Sequence, residues 1–122
     1  QRQMCIRDRS LKLQKRAARV GFDWPEVSQV LDKINEETKE LVEAKKHESQ
    51  ERISEEFGDL IFSIVNLGRH LKVDPEEALK NTNKKFIKRF QFVENSIKSQ
   101  GSKIEDTSLE DMETLWQRAK SS

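Results

Sequence analysis

Apolar residues recur along this chain at intervals of three and four, the spacing of one face of an α-helix. Between residues 25 and 47 they fall at Val27, Val30, Leu31, Ile34, Leu41 and Val42, with Thr38 in the gap. Residues 45–50 are polar and read as a connection. The next stripe, over residues 50–71, is Ile53, Phe57, Leu60, Ile61, Ile64, Val65, Gly68 and Leu71. A third helix is predicted over residues 75–99, with Leu79, Phe86, Ile87, Phe90, Val93 and Ile97 facing inward. A shorter helix is expected over residues 11–20, ending near Gly21, and a last one beginning at Thr107 or Ser108 and carrying Leu109, Met112, Leu115, Trp116 and Ala119. Two starts carry cap chemistry. Asp74-Pro75-Glu76-Glu77 sets Asp at the N-cap, Pro in the first helical position and Glu two residues on, and Asp23 with Glu26 fits a capping box around Pro25. Gln100-Gly101-Ser102-Lys103 breaks the third helix. No segment alternates with period two, so the fold class is all α: an antiparallel bundle of four to five helices with short connections.

Composition leaves two states open until periodicity is considered. The 122 residues are 34% apolar and 37% charged, which suits either a disordered chain or amphipathic helices with charged outer faces completed by a partner subunit. The helical spacing selects the second. A net charge of +1, from 23 basic and 22 acidic residues, does not indicate a uniformly basic binder of nucleic-acid polymers. The longest apolar run, residues 60–65 with Ser63 inside it, is far short of a membrane span. The single cysteine, Cys5, allows no internal disulfide and no zinc site. The first residues show no signal-peptide pattern, and the expected location is cytoplasmic. Residues 1–10 form an expected non-native or disordered segment, because Met4-Cys5-Ile6-Arg7-Asp8-Arg9 resembles a translated sequencing adaptor.

The candidate chemistry lies in acids spaced one helical turn apart. Glu37 and Glu40 form one such pair and Glu56 and Asp59 another, each beside an apolar stripe. If the two stripes pack antiparallel, four carboxylates converge at the edge of a shared core. Their mutual repulsion and partial burial would be relieved by hard divalent cations, which prefer oxygen ligands. The spacing is not specific: the chain holds seven i, i+3 acid pairs, two of which look like caps. On spacing alone, a metal site and a solvated, salt-bridged helix face both remain open. Lys85 and Arg89 project together from the third helix, either as a phosphate-binding pair or as part of a solvated basic face with Lys84 and Lys88. Trp116 suits either base stacking or core packing with Met112 and Ala119. His70, near a helix end, reads as a surface or cap residue without chemistry.

The order of these segments adds a resemblance. Glu37-Thr38-Lys39-Glu40 followed by Glu56-Phe57-Gly58-Asp59 is similar to the paired acidic motifs of the MazG family. So are the run from Leu13 to Trp24, Val65-Asn66-Leu67-Gly68-Arg69-His70-Leu71, the run from Asn83 to Phe90, and the ending from Leu115 through Trp116 to Lys120. The resemblance covers residues 11–120, is nearest to the C-terminal catalytic half of two-domain bacterial members, and makes residues 11–122 the expected MazG-like domain. It implies a dimer-forming helical nucleoside triphosphate pyrophosphohydrolase. Such an enzyme cuts NTPs or dNTPs to monophosphate and pyrophosphate by metal-activated water attack at the α-phosphate. By position, it implies Mg²⁺ held by the catalytic acids Glu37, Glu40, Glu56 and Asp59. It also implies nucleotide contacts from Lys33, Arg52, Glu55, Lys85, Arg89, Trp116 and Lys120. Glu40 and Glu55 both remain candidates for the general base. A narrower enzyme acting on dUTP, dCTP or phosphoribosyl-ATP would use the same acids, and a non-catalytic helical module binding a nucleotide or protein is the alternative of a different class.

Overall fold

The computed structural model describes residues 6–121. The expectation for residues 1–5, including Cys5, lies outside the described residues. Five α-helices follow in order: α1 (Ile6–Arg19), α2 (Val27–Lys46), α3 (Gln50–Leu71), α4 (Pro75–Ser99) and α5 (Leu109–Lys120), with a 3-10 turn at Ile104–Asp106. The described residues contain no strand, as the absence of period-two alternation predicts. The bounds of α3 match the predicted ones, and α4 begins at Pro75, where a missing N–H costs nothing. α1 starts at Ile6, five residues ahead of the predicted start, and is continuous through Leu11.

Two compact units divide the chain, residues 1–75 and 76–122. In the first, α2 and α3 pack as a helical hairpin and α1 packs on α3. The buried face of α2 is a strict heptad, Val30, Glu37 and Ala44. The face of α3 buries Val65 together with Ser63 and Asn66. α1 is tied in by Gln14, whose buried Nε2 donates to the Phe62 carbonyl oxygen at 3.0 Å. Gly68 permits the next turn to fold back: a Cβ there would sit 3.1 Å from both the Pro75 ring and the Val73 carbonyl oxygen. In the second unit Val93 and Ile97 of α4 pack with Leu115 of α5, flanked by Ile104, Met112 and Trp116. The reversal between α4 and α5 passes through Gly101 at φ +76°, a left-handed conformation that favours glycine, and Ser108 caps α5 by accepting from the Asp111 N–H at 3.1 Å.

Three expectations are corrected. Leu79, Phe86 and Ile87 do not face a core but are 58%, 55% and 56% exposed, because two helices bury only the C-terminal half of the α4 stripe. On α3, Phe57, Ile61, Ile64 and Leu71 are likewise exposed, since the apolar stripe is broader than the face its neighbours cover. Asp23 does not form a capping box with Glu26. Glu26 is itself the N-cap of α2, and Gln29 closes the turn by accepting from the Glu26 N–H at 3.2 Å.

Asp23 is engaged elsewhere. Its Oδ1 accepts from the Trp24 N–H at 2.9 Å and from Arg69 Nη2 at 2.6 Å, and His70 Nε2 lies 3.0 Å away. Arg69 Nη2 also donates to Asn66 Oδ1 at 2.7 Å. The α1–α2 connection is thereby pinned to the last turn of α3, and His70, expected at the surface, has only 11% of its side chain exposed. The Arg69 guanidinium, with help from His70 and the Trp24 N–H, holds the Asp23 carboxyl down from 3.8 to about 2. A depressed carboxyl contributes stability above its unfolded pKa and loses it as pH falls through the folded one. Asp23→Asn is therefore expected to cost about 1–2 kcal/mol at neutral pH after allowance for solvent screening. In urea unfolding, the gap between wild type and variant should close as pH is lowered from about 4 toward 2. A gap that is constant across that range would contradict the assignment.

Candidate active site

Glu37 occupies the middle of the buried heptad of α2, one full repeat from Val30 and one from Ala44. An acid at a core position is expensive unless its oxygens are satisfied. Half of that requirement is met: Lys33 Nζ lies 3.0 Å from Glu37 Oε1 and 3.3 Å from Glu36 Oε1. These carboxylates, Glu37 first, raise the Lys33 ammonium above its ordinary range. The other oxygen, Glu37 Oε2, is buried with no hydrogen-bond partner, and so is Glu56 Oε2 on the facing helix.

The hairpin brings the two acidic motifs together. One carboxylate oxygen from each of Glu37, Glu56 and Asp59 lies within 4.8 Å of the other two. Glu40 is not part of that trio, but the Glu56 carboxylate, followed by the charge of Glu37, pushes the Glu40 carboxyl up. All four acids thus belong to one constellation, with Glu37 buried, Glu56 and Glu40 half-buried and Asp59 exposed. Two orphaned, buried carboxylate oxygens amid like charge fit a hard cation, and an all-oxygen donor set is the chemistry Mg²⁺ selects.

The other predicted residues fall in separate places. Lys33 is paired with Glu37, while Arg52 and Glu55 stand exposed in the first turns of α3, behind the Ser49 cap. In the second unit Lys85, Arg89 and Lys120 line one cavity of about 300 Å³ with Lys88, Phe92 and Ala119. Trp116 does not line that cavity. Its ring lies 5.3 Å from that of Phe86 at 50°, beside an apolar groove with Met112, Leu109 and Phe90. Sequence reasoning gave Lys88 only to the alternative solvated face and passed over Phe92. Their signal is the spacing Lys85, Lys88, Arg89, Phe92, one face of α4 over two turns. It also missed the buried polar row Ser63 and Asn66, which continues the Glu56–Asp59 face of α3 at alternating steps of four and three.

The chain is similar to known proteins over most of its length. A 109-residue stretch is 46% identical to the nucleoside triphosphate pyrophosphohydrolase/pyrophosphatase MazG of Thermotoga maritima, covering 89% of this chain and 42% of the relative. Over 114 residues it is 44% identical to the nucleoside triphosphate pyrophosphohydrolase of Escherichia coli K12, covering 92% of this chain and 43% of that protein. A 71-residue stretch is 46% identical to the uncharacterized protein YabN of Bacillus subtilis, covering 58% of this chain and 14% of YabN. The chain thus spans about two fifths of the length of the first two relatives. The model of the MazG nucleotide pyrophosphohydrolase domain matches residues 26–93, a span that contains both acidic motifs and Lys85 and Arg89, and the chain belongs to that family.

Proposed function

We propose that this chain hydrolyses nucleoside triphosphates, NTP or dNTP, to the monophosphate and pyrophosphate in a Mg²⁺-dependent reaction at the α-phosphate. The observation that carries the reading is the trio of converging carboxylates Glu37, Glu56 and Asp59, with Oε2 of Glu37 and of Glu56 buried and unpartnered, inside the stretch that the family model matches. Glu37, Glu40, Glu56 and Asp59 would hold the metal. Mg²⁺, when bound, supplies charge neutralisation on the phosphates and a water of lowered pKa.

The chain's own residues do the rest. Glu37, buried, and Glu56, half-buried, stand on facing helices and keep the donor set rigid, which is what transfer by positioning requires. Glu40 or Glu55 takes the proton of the attacking water. Lys33 neutralises Glu37 and stands ready to meet a phosphate, and Arg52 offsets the charge that develops as pyrophosphate leaves. Lys85, Arg89 and Lys120 of the second unit are proposed as nucleotide contacts on the family resemblance alone. Trp116 borders the nucleotide. A cytoplasmic location belongs to the same proposal. No described helix is long and apolar enough to cross a membrane.

The working form is a homodimer. Large apolar residues of α3 and α4 are exposed, among them Phe57, Ile61, Phe86 and Ile87, and a second copy would bury them. Sedimentation at micromolar concentration should report twice the 14.3 kDa chain mass, and a stable monomer would contradict the assignment. The enzyme reading itself is tested by separating products after incubation with a panel of NTPs and dNTPs. Monophosphate with pyrophosphate is expected, and a folded protein that yields neither with any nucleotide would leave a non-catalytic module.

A further inference from the structure

The two helices that carry the acids are held together at both ends. At one end the chain itself joins them, through the three residues between Lys46 and Gln50. At the other end the joint is a side-chain clamp. Arg69 Nη2, on the last turn of α3, donates to Asp23 Oδ1 at 2.6 Å and to Asn66 Oδ1 at 2.7 Å, and His70 Nε2 lies 3.0 Å from the same Asp23 oxygen. The Arg69 side chain is only 16% exposed, so water competes weakly for these bonds. The acids lie midway between the two joints. α2 starts at Val27, four residues beyond Asp23, and Glu37 stands ten residues further on; Asp59 stands ten residues before Arg69 on α3. At the rise of an α-helix, both arms are about 15 Å long. One oxygen from each of Glu37, Glu56 and Asp59 lies within 4.8 Å of the other two, and carboxylates that close repel one another. The repulsion drives α2 from α3, and a fastening at the open end of the hairpin resists it.

We propose that Asp23, Arg69 and His70 are positioning residues for the metal site: by fastening the entry of α2 to the last turn of α3, they hold Glu37 against Glu56 and Asp59 before the cation binds. The inference rests on the proposed function for the identity of the cation, and none of the three residues is a ligand. A hairpin held in place needs no rearrangement to bind, and the avoided rearrangement appears as affinity. Such coupling is reciprocal: the cation tightens the clamp by the factor by which the clamp tightens the cation.

Calorimetric titration of the whole chain with Mg²⁺ alone tests it. Asp23→Asn and Arg69→Gln are each expected to weaken Mg²⁺ by about 5- to 10-fold, with the number of sites unchanged. The two substitutions change net charge in opposite directions, so a long-range charge effect would weaken Mg²⁺ in one and strengthen it in the other. Ile97→Val, which thins the core of the second unit, controls for lost stability and should leave Mg²⁺ affinity unchanged. A second readout uses wild type and stands even where a variant does not fold. Saturating Mg²⁺ should slow hydrogen exchange of the Trp24 amide, which donates to Asp23, by a similar factor. Unchanged affinity in folded Asp23→Asn and Arg69→Gln, shifts of opposite sign in the two, or a Trp24 amide indifferent to Mg²⁺ overturns the proposal, as does equal weakening by Ile97→Val. If wild type binds Mg²⁺ and releases pyrophosphate while the clamp variants bind the ion as tightly, only this inference falls. If wild type binds no Mg²⁺, the proposed function falls with it.

Discussion

Glu56→Ala is expected to lower pyrophosphate release by about 10²–10³-fold or more while leaving the protein folded. The variant removes one of three converging carboxylate oxygens and the acid that acts most strongly on Glu40. Truncating a half-buried side chain ordinarily destabilises, but here the lost group carries a buried oxygen with no partner and a charge facing Glu37 and Glu40. Relief of that repulsion offsets the lost packing, so the metal-free melting temperature should hold or rise. Activity and stability thus move independently, which separates a site built for a cation from an acid retained for structure. Release within tenfold of wild type would remove Glu56 from the site.

Mg²⁺ should stabilise the wild-type protein by about 2.7 kcal/mol at a hundred times its dissociation constant, the value that mass action gives for a single site. For a chain this short, the corresponding rise in melting temperature is roughly 10 °C. Glu37→Gln and Glu56→Ala should abolish the rise. Glutamine at Glu37 retains the shape and the neighbour of Lys33 but supplies no charge to a cation. The effect should be absent with monovalent salt at matched ionic strength, which screens surface charge without filling the site. A wild-type melting temperature indifferent to millimolar Mg²⁺ would contradict the acids' proposed role.

Much of the helical framework is legible because it rests on local chemistry. Pro75 and Ser108 mark helix starts, Gly101 supplies the left-handed reversal, and the α3 stripe sets its own limits. Asp23 misleads for a reason outside local sequence: Arg69, 46 residues away, competes for its carboxylate and wins. The 3-10 turn at Ile104–Asp106 has no periodic signature in three residues. The inward assignment of Leu79, Phe86 and Ile87 fails because periodicity identifies an apolar face but not what covers it.

The site divides along the same line. That Glu37/Glu40 and Glu56/Asp59 each share a face follows from helical pitch; that Glu37 sits inside the core row rather than at its edge requires the packed hairpin. Lys88 and Phe92 are inconspicuous in sequence because Lys and Phe are frequent along α4, and the choice among them is made only by where α5 lies. Ser63 interrupts the longest apolar run, a visible irregularity whose burial only the fold reveals.

The central claim is tested most directly by incubating the wild-type chain with nucleoside triphosphates, with Mg²⁺ and with EDTA, and resolving pyrophosphate from phosphate. Pyrophosphate and monophosphate in equal amounts, formed with Mg²⁺ and not with EDTA, is the predicted result. Orthophosphate with diphosphate, or equal yields in the presence of EDTA, would contradict it.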